Sequence, residues 1–453
     1  MKPRKKAYSV EALANLTAET KITMRKHLNA DAMFEAIRQD FEKVADHRAS
    51  NSKIPLVDVL MSGFAVFSLK DPSLLAFDKR RCEEPESLRG VFGIGIIPCD
   101  SQMRKSLDEV PPPEIRQPFL TLFHHAQRGK ALEKLVWLDD HYLLALDGTS
   151  IYSSEKVSSP YCLRKQKKKD RIMYYQQMLG AAIVHPDQRV VIPLCPEMII
   201  KQDGTTKQDC ERRAAQRFLN DFRREHPHLK CVVIEDGISS NGPHITDLKN
   251  HNLRFILGAK PGDHAFLFEQ LDQAVKDGKA VEFSQTDSKQ PDISHTYRFV
   301  NGVSLNKSNP DILVNVLEYW QIDGGGKEIR FSWVTDLTLT CENVYEIMRA
   351  GRARWRIENE TFNTLKNQGY NLGHNYGLGE KHLSAVFVQL MMLAFLVDQI
   401  QQLCCPLFQA AWRKCQSKVS LWESIRGAFK RFVVPSMEVI LQVIVTDMKV
   451  LLC

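Results

Sequence analysis

Apolar positions in the first 138 residues recur at steps of three and four, most clearly in DAMFEAIRQDFEKV (31–44) and IPLVDVLMSGFAVFSL (54–69). That period predicts amphipathic helices. Asp71-Pro72, the acidic run CEEPES and Pro111-Pro112-Pro113 break the pattern into several short helices. From about Tyr142 the pattern changes to short apolar runs. LLALD (143–147), Met173 to Val184 and Arg189 to Cys195 predict three strands, the last two joined by the turn HPDQ. QDCERRAAQRFLNDFRREH predicts a helix, CVVIED a strand, His244 to Asn250 a short helix and LRFILGA another strand. Between about Gly278 and Asp336 the period becomes two, in VEFS, HTYRFV, ILVNVLEYW and EIRFSWV, with Gly324 to Gly326 as a hairpin turn. Long helical patterns then run to the C-terminus. The apolar stretch Ala385 to Val397, interrupted by Gln389, is too short to span a bilayer and predicts a buried helix.

These changes of period divide the chain into a helical N-terminal domain (1–138), an α/β core (139–277), a β-rich insertion (278–336), the second part of the core (337–403) and a C-terminal helical region (404–453). With 43% hydrophobic and 25% charged residues, the composition is that of an ordinary globular protein. The net charge of +7 is modest, but basic residues bunch locally, which favours a polyanionic partner. The 11 cysteines include no CxxC pair, and Cys404 and Cys405 are adjacent. Neither a disulfide framework nor a zinc site is legible, and a reducing cytoplasm is the expected setting. The N-terminus MKPRKKAYSVEALANL has no apolar signal core, so neither secretion nor a membrane partner is expected.

The chemistry concentrates in three stretches. LLALDGT and CVVIEDG each read as a buried strand that ends on an acid, Asp147 and Asp236. RWRIENETFNTLK (354–366) places acids on a helix. Trp355, Phe362 and Leu365 stand at −3, +4 and +7 from Glu358, which puts Glu358 rather than Glu360 on the inward stripe. The bland alternative for Glu358 is an ion pair with Arg354 one turn earlier. Three converging carboxylates suit hard, oxygen-loving divalent cations. The run RKQKKKDR (164–171), containing Lys167, Lys168 and Lys169, is basic at six of eight positions and lies between the first two strands. It would grip phosphates or remain a solvated loop. Arg352, Arg354 and Arg356 flank the third acid, but alternate helix positions cannot all face one phosphate.

RWRIE followed by FNTLK, with the two Asp-Gly strand ends, resembles the DDE transposases of bacterial insertion sequences, of the insertion-sequence-four type. IPLVDVLMSGFAVFSLK, IPLCPEMIIKQDGTTKQDCERRAAQRF and ENETFNTLKNQGYNLGHNYG extend the resemblance from about Leu56 to Gln399. It implies a ribonuclease H-like mixed sheet with flanking helices, interrupted by the β-rich insertion. It further implies that Asp147, Asp236 and Glu358 form the catalytic triad and hold two Mg²⁺ ions, with Mn²⁺ able to substitute. The reaction implied is cut-and-paste transposition by in-line displacement at phosphorus, on double-stranded DNA bearing terminal inverted repeats and on target DNA. A homodimer in a synaptic complex, a hairpin intermediate, and a bacterial, nucleoid-associated location also follow from the likeness. Arg354 matches the arginine of the family's Tyr-Arg-Glu-Lys signature. The tyrosine position falls on Gly351 and the lysine position on Leu365, with Lys366 one residue late. Trp320 or Trp333 would stack on an unpaired base, and the N-terminal helices would recognise the element's ends; His374, Tyr370 and His244 are weaker candidates. Two other readings compete. LALDGT resembles the nucleophile motif of haloacid dehalogenase phosphatases, which are magnesium-dependent, but the nucleophile position is Ala145. A catalytically silent DNA-binding relic is the third.

Overall fold

The computed structural model describes residues 22, 24–167, 171–200, 211–286 and 290–446. Its centre is one large mixed sheet. Strands β2 (His141–Ser154), β4 (Ile172–His185), β7 (Cys231–Glu235) and β8 (Arg254–Gly258) form the middle, with β1 (Val136–Trp137) on β2 and β5 (Gln188–Pro193) and β6 (Glu197–Ile199) on β4. β2 runs antiparallel to β4 but parallel to β7, and β7 is parallel to β8. The β, β, β, α, β, α, β order of the main elements matches the expectation, and the sheet order is that of a ribonuclease H-like fold. Helix α7 (Glu211–Glu225) buries Ala214, Ala215, Phe218, Leu219 and Phe222 along one stripe, and α8 (Gly242–Asn250) links β7 to β8.

Three expectations change. LLALDGT does not end a strand: β2 continues seven residues past Asp147 as a hairpin arm with β4. Asp147 marks instead the level at which β2 leaves its parallel partner, since pairing with β7 runs only from Tyr142↔Cys231 to Ala145↔Ile234. Overlapping the start of the basic run, Leu163–Gln166 forms an edge strand, β3, against β4. The β-rich insertion is not a separate layer. After α9 (Ala265–Lys276), which the alternating pattern did not reveal, strands β9 (Val281–Thr286), β10 (Ser294–Asn306), β11 (Asn309–Ile322) and β12 (Glu328–Thr335) form an antiparallel meander. β12 then pairs with β8 through Trp333↔Gly258, Val334↔Leu257 and Thr335↔Ile256, so the insertion extends the core sheet.

Helices α1 (Ala30–Phe41), α2 (Leu56–Ser68), α3 (Leu74–Glu83), α4 (Pro85–Phe92), α5 (Asp100–Asp108) and α6 (Gln117–Arg128) confirm the helical reading of the N-terminal region. They share one continuous apolar core with the sheet and the C-terminal helices rather than closing on a core of their own. Helix α10 (Val344–Arg352) and a π-helical turn (Ile357–Phe362) with its short extension α11 (Asn363–Asn367) carry the third acid. Helix α12 (Leu383–Cys404) follows, longer than the apolar stretch read from sequence. At 22 residues it is long and apolar enough to cross a membrane, but 94% of its most apolar window is buried inside the protein, as a core helix would be. Its polar residues are used internally: Gln389 donates to the Pro112 carbonyl at 3.1 Å and Gln399 accepts from the Val191 amide at 3.1 Å. α13 (Pro406–Cys415), α14 (Lys418–Arg431) and α15 (Met437–Thr446) complete the described chain.

The join between N-terminal helices and core contains a buried ion pair. Lys70, just past α2, bonds Asp398 of α12, and the Tyr370 hydroxyl donates to the same carboxylate. The Lys70 ammonium also lies 3.8 Å from the Trp422 ring centre. Burial lowers the Lys70 pKa against the opposing pull of Asp398. Removing one partner strands the other charge. Asp398→Ala is expected to lower unfolding stability by about 3–5 kcal/mol in urea titrations, and Asp398→Leu combined with Lys70→Met to recover most of it.

Candidate active site

The first two acids are brought together by strand register. The last register pair of the parallel β2/β7 ladder is Ala145↔Ile234, and Asp147 and Asp236 each lie two residues beyond it on their own segments. The charge of Asp236 acts on Asp147, so the two acids share one electrostatic patch. Asp147 accepts from the Gly148 amide at 2.9 Å. Asp236, immediately after β7, accepts from the Ile238 amide at 3.0 Å and caps the short turn Gly237–Ser239.

The third segment lands over the same patch by a different means from that expected. Trp355 is 47% exposed, and the Glu358 side chain is 48% exposed. Glu358 is therefore not on a buried stripe; the inward residues are Ile357, Thr361, Phe362, Thr364 and Leu365. A π-helical turn holds more residues than an α-turn, so positions counted on an α-helical wheel rotate away from their assigned face. What docks the segment is Phe362. Its ring lies on Gly180, the β4 residue directly opposite Asp147, and a Cβ at 180 would come within 2.6 Å of the ring. Arg354 completes the link: its guanidinium donates to Asp147 at 2.9 Å and lies 3.7 Å from Glu358. The ion pair considered as the bland reading of Glu358 therefore exists, and it extends to a second acid. Glu360 pairs instead with Arg356 at 3.3 Å.

The same π-turn accounts for the late lysine. One extra residue in the turn returns Lys366 to the face that position 365 would occupy on an uninterrupted α-helix. Lys366 Nζ donates to Thr149 Oγ1 at 2.8 Å, two residues from Asp147, while Leu365 is buried. Gly351, at the tyrosine position, has no room for a side chain: a Cβ there would fall 2.5 Å from Trp333 Nε1. The buried Trp333 indole fills that space from β12.

Burial raises the Asp147 pKa first; Arg354 opposes this, and the charges of Glu358 and Asp236 add to it. A further acid, Glu211 at the start of α7, is raised by burial and then by Asp147 and Asp236. No motif marked Glu211, because nothing local distinguishes it from any other first-turn glutamate. Among the described residues no three acidic, histidine or cysteine side chains already converge on a single metal position. Like-charged groups hold apart without a cation between them, and here the Arg354 guanidinium spans two of them. The donors are all carboxylates, and the existing bridge is cationic; both fit hard divalent ions.

The other sequence candidates separate into distinct places. Arg352 and Arg356, one turn apart, face an open groove of about 610 Å³ that also presents Arg349, Trp355, Tyr345 and Phe331. Arg352 donates to Gln321 and Arg356 to the Pro186 carbonyl. Trp320 is half-buried on β11 with the guanidinium groups of Arg298 and Arg330 against its ring, and it does not line this groove. Lys167 pairs with Glu155 just past the end of β2, which lies seven residues, or roughly 23 Å along the strand, from Asp147; Lys168 and Lys169 lie outside the described residues. Tyr370 and His244 are buried, and His244 bonds Glu235 at 2.5 Å, so neither is a solvated loop residue. His374 packs edge-on against Tyr376.

A sequence profile described as "Transposase DDE domain" matches residues 139–396, more than half of the chain. No curated sequence matches it. Among solved structures, the chain is similar to that described as "Cryo-EM structure of piggyBac transposase synaptic complex with hairpin DNA", at 9% identity and a TM-score of 0.42, over 94% of this chain and 87% of that one.

The direction of the Asp147 shift has a thermodynamic consequence. A carboxyl whose folded pKa lies above its unfolded value favours folding only while protonated, and that contribution is lost as pH rises through the folded pKa. Asp147→Asn is expected to raise the melting temperature of metal-free protein at neutral pH, by about 1–2 °C for a gain near 1 kcal/mol, and to have less effect at about pH 4. Calorimetry in EDTA checks this. A lower melting temperature at neutral pH would mean that the Arg354 pairing outweighs burial.

Proposed function

The chain belongs to the transposase DDE-domain family, and from that premise we propose that it performs cut-and-paste transposition of an insertion sequence, cleaving DNA at the element's terminal inverted repeats and joining the ends to target DNA. Asp147, Asp236 and Glu358 are the acids that would hold two Mg²⁺ ions, or Mn²⁺ in their place. The observation that carries this reading is the Arg354 bridge: one cationic group already joins an acid of the sheet to the acid of the third segment, within the electrostatic reach of Asp236.

The ions would supply charge stabilisation at phosphorus and activation of a water or a DNA 3′-hydroxyl. The protein's own residues do the rest. Asp147 and Asp236 follow directly on the paired ends of β2 and β7, which supports a shared position for them before any ligand arrives. Arg354 neutralises Asp147 in the resting protein and becomes available to a DNA phosphate when Asp147 is otherwise satisfied. Lys366, anchored on Thr149 beside the acids, takes a neighbouring phosphate. Arg352 and Arg356 direct the strand along the adjacent groove, and Lys167, paired with Glu155 just past the end of β2, is placed for duplex further away. Trp320 stays a DNA contact only through the arginines on its ring. Because an element has two ends, a homodimer pairing them is the working assembly. The setting is the bacterial cytoplasm, at the nucleoid.

Purified protein with Mg²⁺ and DNA carrying its own flanking sequences should cut at the element boundary. Glu358→Gln is expected to reduce cleavage by about a thousandfold or more while leaving end binding in a gel-shift assay intact. Undiminished cutting by that variant would remove Glu358 from the triad. Lys366→Ala should weaken end binding across sequences and lower the slope of log affinity against log salt by about one. An unchanged slope would take Lys366 off the phosphate backbone.

A further inference from the structure

Three acids carry the family motif, but a fourth stands beside them. Glu211 is the first described residue of α7, and the next residue, Arg212, donates to the Ile238 carbonyl at 3.1 Å. The Ile238 amide is in turn held by Asp236, so the start of α7 is tied to the loop of the second acid. On its other side Glu211 lies against Gly148, the residue after the first acid. A Cβ at 148 would fall 2.5 Å from Glu211 Cδ. Gly148 sits inside β2, paired with Leu179, with no turn to require a glycine. A glycine within a strand weakens it, and one recognised reason for its presence is the close approach of another group. Here that group is a carboxylate that lies against the residue after Asp147 and senses both Asp147 and Asp236 electrostatically.

We propose that Glu211 is a fourth carboxylate of the metal site, supplying the charge that lets both divalent cations bind before DNA arrives; this rests on the metal-site reading above. Three carboxylates leave two divalent ions one negative charge short, and Glu211 removes that deficit until a DNA phosphate is present. Gly148 keeps the position open for it.

The test is a Mn²⁺ titration of the full chain without DNA, followed by calorimetry and by the electron paramagnetic resonance signal of free Mn²⁺, with melting temperatures in EDTA measured alongside. Wild type is expected to bind two ions. Glu211→Gln should weaken the second by tenfold or more without lowering the metal-free melting temperature. Gly148→Ala should reproduce that loss by displacing the carboxylate, and Glu211→Asp should recover part of it. Glu211→Gln binding both ions with wild-type affinity, while Asp147→Asn does not, overturns the assignment of Glu211 and leaves the triad standing. If Asp147→Asn also binds both ions normally, the metal-site reading fails and this inference with it. Loss of affinity accompanied by a marked fall in melting temperature assigns Glu211 a structural role and overturns the proposal as well.

Discussion

Asp147 is ionisable, partly withdrawn from water and close to other acids, a combination that favours its neutral form unless a cation is near. In this protein the cation is the guanidinium of Arg354, which reaches Asp147 from the same helical segment that carries Glu358. The pairing neutralises part of the charge on the sheet and holds the third acid over it. On the proposed reading, a site built this way would be charged for divalent ions in advance, and Arg354 would be available to a DNA phosphate once the ions are bound. Such an arrangement costs stability locally, and the large continuous core offsets that cost.

Close approach does the positioning. Phe362 can lie on the sheet only because residue 180, opposite Asp147, has no side chain; Glu211 can stand beside Asp147 only because residue 148 has none. At Gly351 the same logic runs outward, where the Trp333 indole from the extended sheet fills the space next to α10. The insertion, joined to the core sheet through β8, thus packs directly against the helix that leads into the third segment.

Much of this was legible in sequence because local pattern determines it. Strands β4, β5, β7 and β8 follow from apolar runs between turn residues, and Asp147, Asp236 and Glu358 stand out as acids attached to such runs or to a helix. The rest depends on information that no local window holds. A two-residue period shows that VEFS, HTYRFV, ILVNVLEYW and EIRFSWV are strands but not that β12 pairs with β8. An α-helical wheel misplaces Glu358 because the turn from Ile357 to Phe362 is π-helical, and the same departure turns the apparent mismatch of Lys366 into a contact with Thr149. Glu211 carries no motif at all; only the sheet and α7 together bring it to Gly148.

The most direct measurement of the central claim is a structure of the protein soaked with Mn²⁺ and recorded with anomalous scattering. Anomalous peaks bracketed by the carboxylates of Asp147, Asp236 and Glu358 are expected, with the Arg354 guanidinium moved off Asp147. A map at saturating Mn²⁺ in which Arg354 still bridges Asp147 and Glu358 and no peak lies among the acids would contradict it.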